Sequence, residues 1–431
     1  MTYDVGVVGL DDFNGSKLKH LKGADDCRFR GVITRPETII HGPDYPFEER
    51  LEAARARIGE AGGIDGILTY WDFPSSSIAA ALAEEFDVPY ASLESVLKCE
   101  HKLWFREEQA KVMKTPDFAG FNPFDDDPMA AIHLDYPFWV KPVVGHSSML
   151  GFRIESRADF DRAIEEIRAG IRDLTKPFAY VIERVGLPDH LKEGGADLCV
   201  AEEIISDGDQ CTVEGYAKDG EVVSYALIDS IRFEDGHTFH HYSYPSRESD
   251  EAYARMARES ERLIRRLGYD DAPFNIEFFF NREEDRLDIL EVNARLSQSH
   301  AGLFERVDGR PHFQFALDLA LGREPRWDRG GGQFNRAGKF YLRRFEDAIV
   351  ERTPSDRDVW RMRERYPDAE VETACEEGDR LSELREQAPG NYIYAELFLG
   401  ADSEDDLMAR YEDCLEILGF RFRPVEERRA S

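Results

Sequence analysis

FNIEFFF (Phe274 to Phe280) and LDILEVNAR (Leu287 to Arg295) are two neighbouring apolar segments, and each carries an acid where a buried strand ordinarily carries a hydrophobe. Side chains alternate faces along a strand, so Glu291 and Asn293 share one face, and a hairpin between the segments sets Glu277 beside them. Three oxygen donors then converge. Clustered carboxylates repel one another unless something positive lies between them, and hard oxygen donors suit magnesium held between protein and phosphate. The competing reading is an exposed sheet face decorated with acid, and the apolar flanks count against it. Arg295 falls two residues beyond Asn293 on the same face, where a guanidinium can hold a carboxylate or meet developing negative charge.

Outward from this hairpin, the chain divides by pattern. YDVGVVGL reads as a buried strand, GILTYW (Gly66 to Trp71) as a second, and SSSIAAALAEEF as a helix whose serines can cap its amino end. Strand and helix alternate. The expectation is an open parallel-sheet domain over residues 1–95, without the glycine fingerprint of dinucleotide binding. Residues 96–325 form a second unit with a lid near 136–215. It begins with a helical stretch from Glu94 to Val112, and the strand YPFWVKPVV, the loop GHSSMLG and the strand FRIES follow. The helix DFDRAIEEIRAGI comes next, then the strands VAEEII, TVEGYAK and VVSYALIDS, the helix EAYARMARESERLIRRLG, and the hairpin itself. Residues 326–431 add a C-terminal α+β subdomain. The fold class is therefore α/β and α+β, in several domains.

Composition sets limits on partners. With 55 basic and 87 acidic residues among 431, the formal charge of −32 opposes nucleic acid and anionic membrane surfaces. No apolar run approaches the roughly 20 residues that cross a bilayer. The opening MTYDVGVVGLDD carries acid where an export signal carries a basic region, and the six cysteines are widely spaced, so a reducing cytoplasm is the expected location. Only 12 of the 55 basic residues are lysine, which with the acid excess suggests a halophilic host.

Two further groups carry chemistry. Lys141 closes the strand YPFWVK beside the small-residue loop Gly145, His146, Ser147, Ser148, Met149, Leu150, Gly151, where backbone N–H groups can approach phosphate oxygens. A hairpin turn with an exposed lysine is an equal reading of those residues alone. Lys102, and the acids Glu202 and Glu203 ahead of Ile204 and Ile205, complete the set as phosphate and nucleoside contacts, although each read singly is an ordinary surface charge.

In this order the residues resemble the ATP-grasp superfamily, in its carboxylate-amine ligase and biotin carboxylase-like branch. The resemblance spans nearly the whole chain through Lys102, Lys141, Glu202 with Glu203, Glu277, and Glu291-Val292-Asn293. It implies an ATP-grasp fold using ATP and Mg2+, with Mn2+ as an alternative metal. It also implies adenine against the backbone of Glu203 to Ile205, phosphates under the loop of Gly145, Ser147, Ser148 and Gly151, metal on Glu277, Glu291 and Asn293, and Arg295 with Lys141 in catalysis. Gln210 stands where many relatives have an acid for the ribose.

The implied activity joins a small carboxylate to an amine through an acyl phosphate, with a homodimer as one assembly open to it. A biotin carboxylase-like subunit and a nucleotide-binding sensor are the alternatives. His240, His241 and Ser246, in what reads as a loop, are candidates for the acceptor pocket, as is Asp72 at a strand end.

If the acidic, lysine-poor surface reflects a saline interior, thermal stability rises as potassium chloride goes from millimolar to molar, because salt screens self-repulsion. Melting curves across the series check this, and a melting temperature that stays flat or falls removes the halophilic reading.

Overall fold

Val5, Val7 and Val8 are wholly buried in strand β1 (Tyr3–Leu10), which pairs in parallel with β2 (Cys27–Thr34) on one side and β3 (Gly66–Thr69) on the other. The computed structural model describes residues 2–40, 44–145, 149–233, 238–327, 329–384, 387 and 390–425. The expected parallel sheet is thus present, with one strand more than the pattern suggested: CRFRGVIT interleaves arginines with apolar residues and does not read as a buried run. The helix Ser75–Phe86 follows β3, and its serines do not cap it. Pro74 stands at the cap, while Ser75, Ser76 and Ser77 are buried in the first turn. The Asp72 carbonyl accepts from the backbone N–H groups of Ser75 and Ser76 at 2.8 and 3.4 Å.

The chain forms two units. One comprises Met1–Ala226, Glu248–Gln298 and Phe313–Arg326, and the other comprises Leu227–Arg247, Ser299–His312 and Trp327–Ser431. This grouping cuts the chain differently from a division at 95 and 325.

The first unit holds the parallel sheet and a second, antiparallel sheet built from β4 (Phe118–Phe121), β5 (Phe138–Pro142), β6 (Phe152–Ile154) and β7 (Cys199–Glu203), in the order β4-β7-β5-β6. The helix Arg157–Thr175 covers it. Ser156 caps that helix by accepting from the Asp159 N–H, and Phe160, Ala163, Ile164, Ile167 and Ile171 recur at helical spacing to fill the core against Phe138, Val140 and Ile154. A third run has the order β12-β11-β8-β9, using β8 (Asp209–Lys218), the start of β9 (Glu221–Arg232), β11 (Ala272–Asn281) and β12 (Arg286–Asn293).

The helical stretch expected from Glu94 to Val112 consists of two helices, Leu93–Glu100 and Lys102–Ala110. His101 leaves helical geometry at φ −86°, ψ 94°, and its Nδ1 accepts the Trp104 N–H at 3.2 Å. Burial holds His101 neutral, its pKa lowered to about 4, so the ring nitrogen can serve as a cap acceptor. Periodicity alone does not register such a break, because both helices bury the same kinds of residue.

In the second unit, the rest of β9 pairs with β10 (Phe239–Tyr244), and the order continues through β13 (Arg336–Arg344) and β15 (Tyr392–Ala401) to β14 (Glu370–Thr373). The helices Asp356–Arg365 and Glu404–Leu418 contribute Met362, Leu407, Cys414 and Leu418 to its core. His240 and His241 lie on β10 and not in a loop. His241 pairs with Phe340 across the strands, and their rings stack at 4.7 Å. Ser246 follows that strand and donates to Asp229.

Gly66 sits where β3 passes the end of the helix Phe313–Ala320, and a Cβ there would stand 2.3 Å from the Ala320 carbonyl oxygen. Backbone cannot yield as a flexible side chain does. Gly66→Ala is therefore expected to cost about 1–3 kcal/mol, read as a lower urea midpoint at unchanged slope.

Candidate active site

The expected acidic cluster is brought together by strand register. Glu277 on β11 lies directly opposite Glu291 on β12, and Asn275 lies opposite Asn293. The Asn293 amide nitrogen donates to Asn275 Oδ1 at 2.8 Å and to Glu277 Oε1 at 3.2 Å, so a cation would be met by its oxygen. Gln210, expected at a ribose, donates from Nε2 to Glu277 Oε2 at 2.7 Å. Glu277, Glu291 and Asn293 are all partly exposed and open to a ligand. Burial and then the facing Glu291 raise the Glu277 pKa to about 7.

Two like charges directly opposite on adjacent strands are unfavourable by themselves, and the groups donating to Glu277 are neutral amides. That imbalance fits a cation. Among the described residues no three His, Cys, Asp or Glu side chains converge on one point, so a magnesium ion here would take its remaining oxygens from phosphate and water, as that ion commonly does.

Arg295 is held from two sides. Its NH2 donates to Asp72 Oδ2 at 2.5 Å, and its backbone carbonyl accepts from Asn275 Nδ2 at 3.1 Å. Burial works against its charge, but Asp72, Glu214 and Glu277 together favour it. Asp72 thus supplies the arginine with a carboxylate partner. Glu214, wholly buried on β8 and opposite Asn275, accepts from the Ser297 N–H at 3.3 Å, and burial pushes its pKa well up. Glu100 is a further acid of this group: burial and Asp72 raise it to about 7, with Lys102 opposing.

Lys102 and Lys141 take separate anchors. Lys102 Nζ donates to the Gly145 carbonyl at 2.7 Å, and Lys141 Nζ pairs with Glu202 Oε1. Gly145 has φ +125°, where a Cβ would also meet Leu174 at 2.7 Å, so glycine is required at this turn. Ser147 and Ser148 lie outside the described residues, and Gly151 leads directly into β6. Glu202 is 4% exposed; burial opposes its charge, but Lys141 and Arg106 outweigh that and lower its pKa to about 2.

Glu203, Ile204 and Ile205 line a cavity of about 570 Å3, together with Met113, Phe278 and Ile289. Lys102, Lys141, Glu277 and Glu291 do not line it. Its wall is mixed, with Lys114, Arg255, Arg262, Arg286, Glu284 and Asp288 beside those apolar residues.

Asn275, Glu214, Glu100 and Arg106 were not singled out from sequence. The period of two that joined Glu291 to Asn293 also joins Asn275 to Glu277, and the buried acid in TVEGYAK breaks an apolar strand as Glu277 does. Glu100 and Arg106 give no such signal, since charged residues on helices are ordinarily solvated.

Residues 244–326 match the family model for the carbamoyl-phosphate synthase L chain, ATP binding domain. The chain is 25% identical over 327 residues to the carbamoyl phosphate synthase large chain of Myxococcus xanthus, covering 72% of this chain and 28% of that protein. It is 26% identical over 334 residues to that of Rubrobacter xylanophilus, covering 74% of this chain and 29% of that one. It therefore spans under a third of the length of these relatives.

Its fold is similar over nearly full length to L-amino acid ligase from Bacillus licheniformis, with TM-score 0.70, 17% identity and coverage of 98% and 99%. It is also similar to biotin carboxylase from Campylobacter jejuni, with TM-score 0.65, 13% identity and coverage of 97% and 92%. A parallel amino-terminal sheet, antiparallel sheets and this shared architecture give the chain an ATP-grasp fold.

Proposed function

We propose that the chain is an ATP-dependent carboxylate-amine ligase. The observation that carries this reading is the acid pair Glu277 and Glu291 beside Arg295, an arginine whose guanidinium already holds a carboxylate. ATP is the energy source, its base in the cavity bordered by Glu203, Ile204 and Ile205, and its phosphates toward Lys141, Lys102 and the turn at Gly145, with Ser147, Ser148 and Gly151 beyond. Glu277, Glu291 and Asn293 would hold Mg2+ (Mn2+ in its place), which when bound offsets phosphate charge. Gln210 serves this group through Glu277 and is the residue for the ribose in this reading.

Arg295 receives the substrate carboxylate by exchanging it for Asp72. An oxygen of that carboxylate attacks the γ-phosphorus, ADP departs, and the amine nitrogen then attacks the acyl carbon so that phosphate leaves carrying the carboxylate oxygen. Lys141 and Lys102 offset the charge that moves between phosphates. Positioning supplies most of the rate. Small carboxylates and amines are the partners in this reading, in a cytoplasm rich in salt, with a homodimer as one assembly and the divisions at 95 and 325 as functional boundaries. A biotin carboxylase-like subunit is the second reading, supported by the likeness to biotin carboxylase; it would take bicarbonate as the carboxylate.

With oxygen-labelled carboxylate, the released phosphate is expected to carry label, and its formation to need both magnesium and the amine. Unlabelled phosphate from an active protein overturns the ligase mechanism.

Arg295→Ala is expected to lower kcat/KM for the carboxylate by roughly a hundredfold or more while nucleotide affinity changes little; Lys141→Ala weakens both, and Glu291→Gln abolishes magnesium-dependent turnover in a folded protein. Steady-state kinetics beside nucleotide titration separate these outcomes, and a Glu291→Gln protein as active as the parent removes the metal assignment.

A further inference from the structure

Arg106 lies one turn beyond Lys102 on the helix Lys102–Ala110 and is among the largest wholly buried side chains. A guanidinium does not shed its charge, so burying one demands a counter-charge and acceptors for its N–H groups. Both are present. Nε donates to Glu202 Oε2 at 2.9 Å, NH1 to Gln109 Oε1 and to the Ile289 carbonyl at 2.7 Å each, and NH2 to the Leu290 carbonyl at 3.2 Å.

The last two acceptors sit at an irregularity. Between Glu277 and Phe278 the β11–β12 register shifts, and Leu290 has no partner residue on β11. A bulge of this kind interrupts the ladder, and Arg106 supplies donors to the carbonyls beside it. One side chain therefore joins the helix that begins at Lys102, the strand that carries Glu202, and the bulge that leads into Glu291.

Glu202 accepts Arg106 on one oxygen and Lys141 on the other. The two cations differ in freedom. Arg106 is 2% exposed and fixed by four acceptors, whereas Lys141 is 16% exposed near the end of β5. One carboxylate between two cations leaves one positive charge over, and the lysine is the one able to move.

If Lys141 were the sole partner, its departure to an anionic ligand would strand a buried carboxylate, which is strongly unfavourable. We propose that Arg106 is a positioning residue of the nucleotide site: it keeps Glu202 ionised and in place when Lys141 moves from that carboxylate to a nucleotide phosphate. This rests on the nucleotide reading above and adds to it how the phosphate lysine is stored and released.

The test is calorimetric titration of the full chain with MgADP, in two buffers of different ionisation enthalpy, which counts protons exchanged on binding. In Arg106→Gln, the departure of Lys141 leaves Glu202 without a hydrogen-bonded cation, with Lys102 the positive charge that still faces it, so that buried carboxylate takes up a proton. The variant should bind on the order of tenfold more weakly or worse, take up close to one proton more per nucleotide than wild type, and bind more tightly as pH falls. Arg106→Lys, which keeps the charge, should show the wild-type proton count, and so should Arg106→Gln combined with Glu202→Gln. A merely structural arginine would alter affinity alone, so an unchanged proton count in Arg106→Gln overturns the proposal. If Arg106→Gln does not fold, recovery of a folded, MgADP-binding protein on adding Glu202→Gln supports the counter-charge role, and failure to recover overturns it. A wild-type protein that binds no MgADP removes the nucleotide reading itself, and the proposal with it.

Discussion

Glu277 and Glu291 face one another across adjacent strands, and much of the surrounding polar structure follows from accommodating that opposition. The groups that touch Glu277 are the amides of Gln210 and Asn293, which can donate hydrogen bonds but bring no charge. The cations nearby are otherwise engaged: Arg295 is joined to Asp72 and Lys102 to the Gly145 carbonyl. Burial first, and then the facing Glu291, raise the Glu277 pKa to about 7 against the opposing pull of Arg295. Such amide donors satisfy the carboxylate oxygens without cancelling their charge.

A second centre has the opposite balance. Glu202 is shared by Lys141 and Arg106, so its charge is more than met, and the residue beside it, Glu203, borders the cavity. Arg106 connects the two centres mechanically, because its fork reaches both Glu202 and the bulge next to Glu291. Negative charge in excess at one centre and positive charge in excess at the other are thus held on one framework.

The surface chemistry has a different logic. Arginine forks are matched to carboxylates two-for-two, as in Arg55 with Glu85 and Arg57 with Glu37. The planar fork satisfies a carboxylate with less loss of freedom than a lysine would, which is consistent with a chain that has so few lysines. Two of its rare lysines, Lys102 and Lys141, lie instead in the candidate site, where a compact, mobile charge is useful.

Period-two alternation in FNIEFFF and LDILEVNAR was enough to place Glu277, Glu291 and Asn293 on one face, because a strand's two faces are a local property of the backbone. Apolar runs likewise marked β1, β3 and the strands of the ATP-grasp body, and helical spacing marked the helix Arg157–Thr175. Local pattern could not reveal the break at His101, the strand character of Phe239–Tyr244, or β2, since each depends on what packs against it. Nor could it identify Arg106 or Glu100 as members of the site: their burial is created by neighbours distant in sequence. Asp72 and Arg295 are 223 residues apart, and only folding makes them an ion pair. Sequence determined which residues could carry charge on which face of a strand; the tertiary structure decided which of those charges meet, because burial and pairing are properties of the assembled chain.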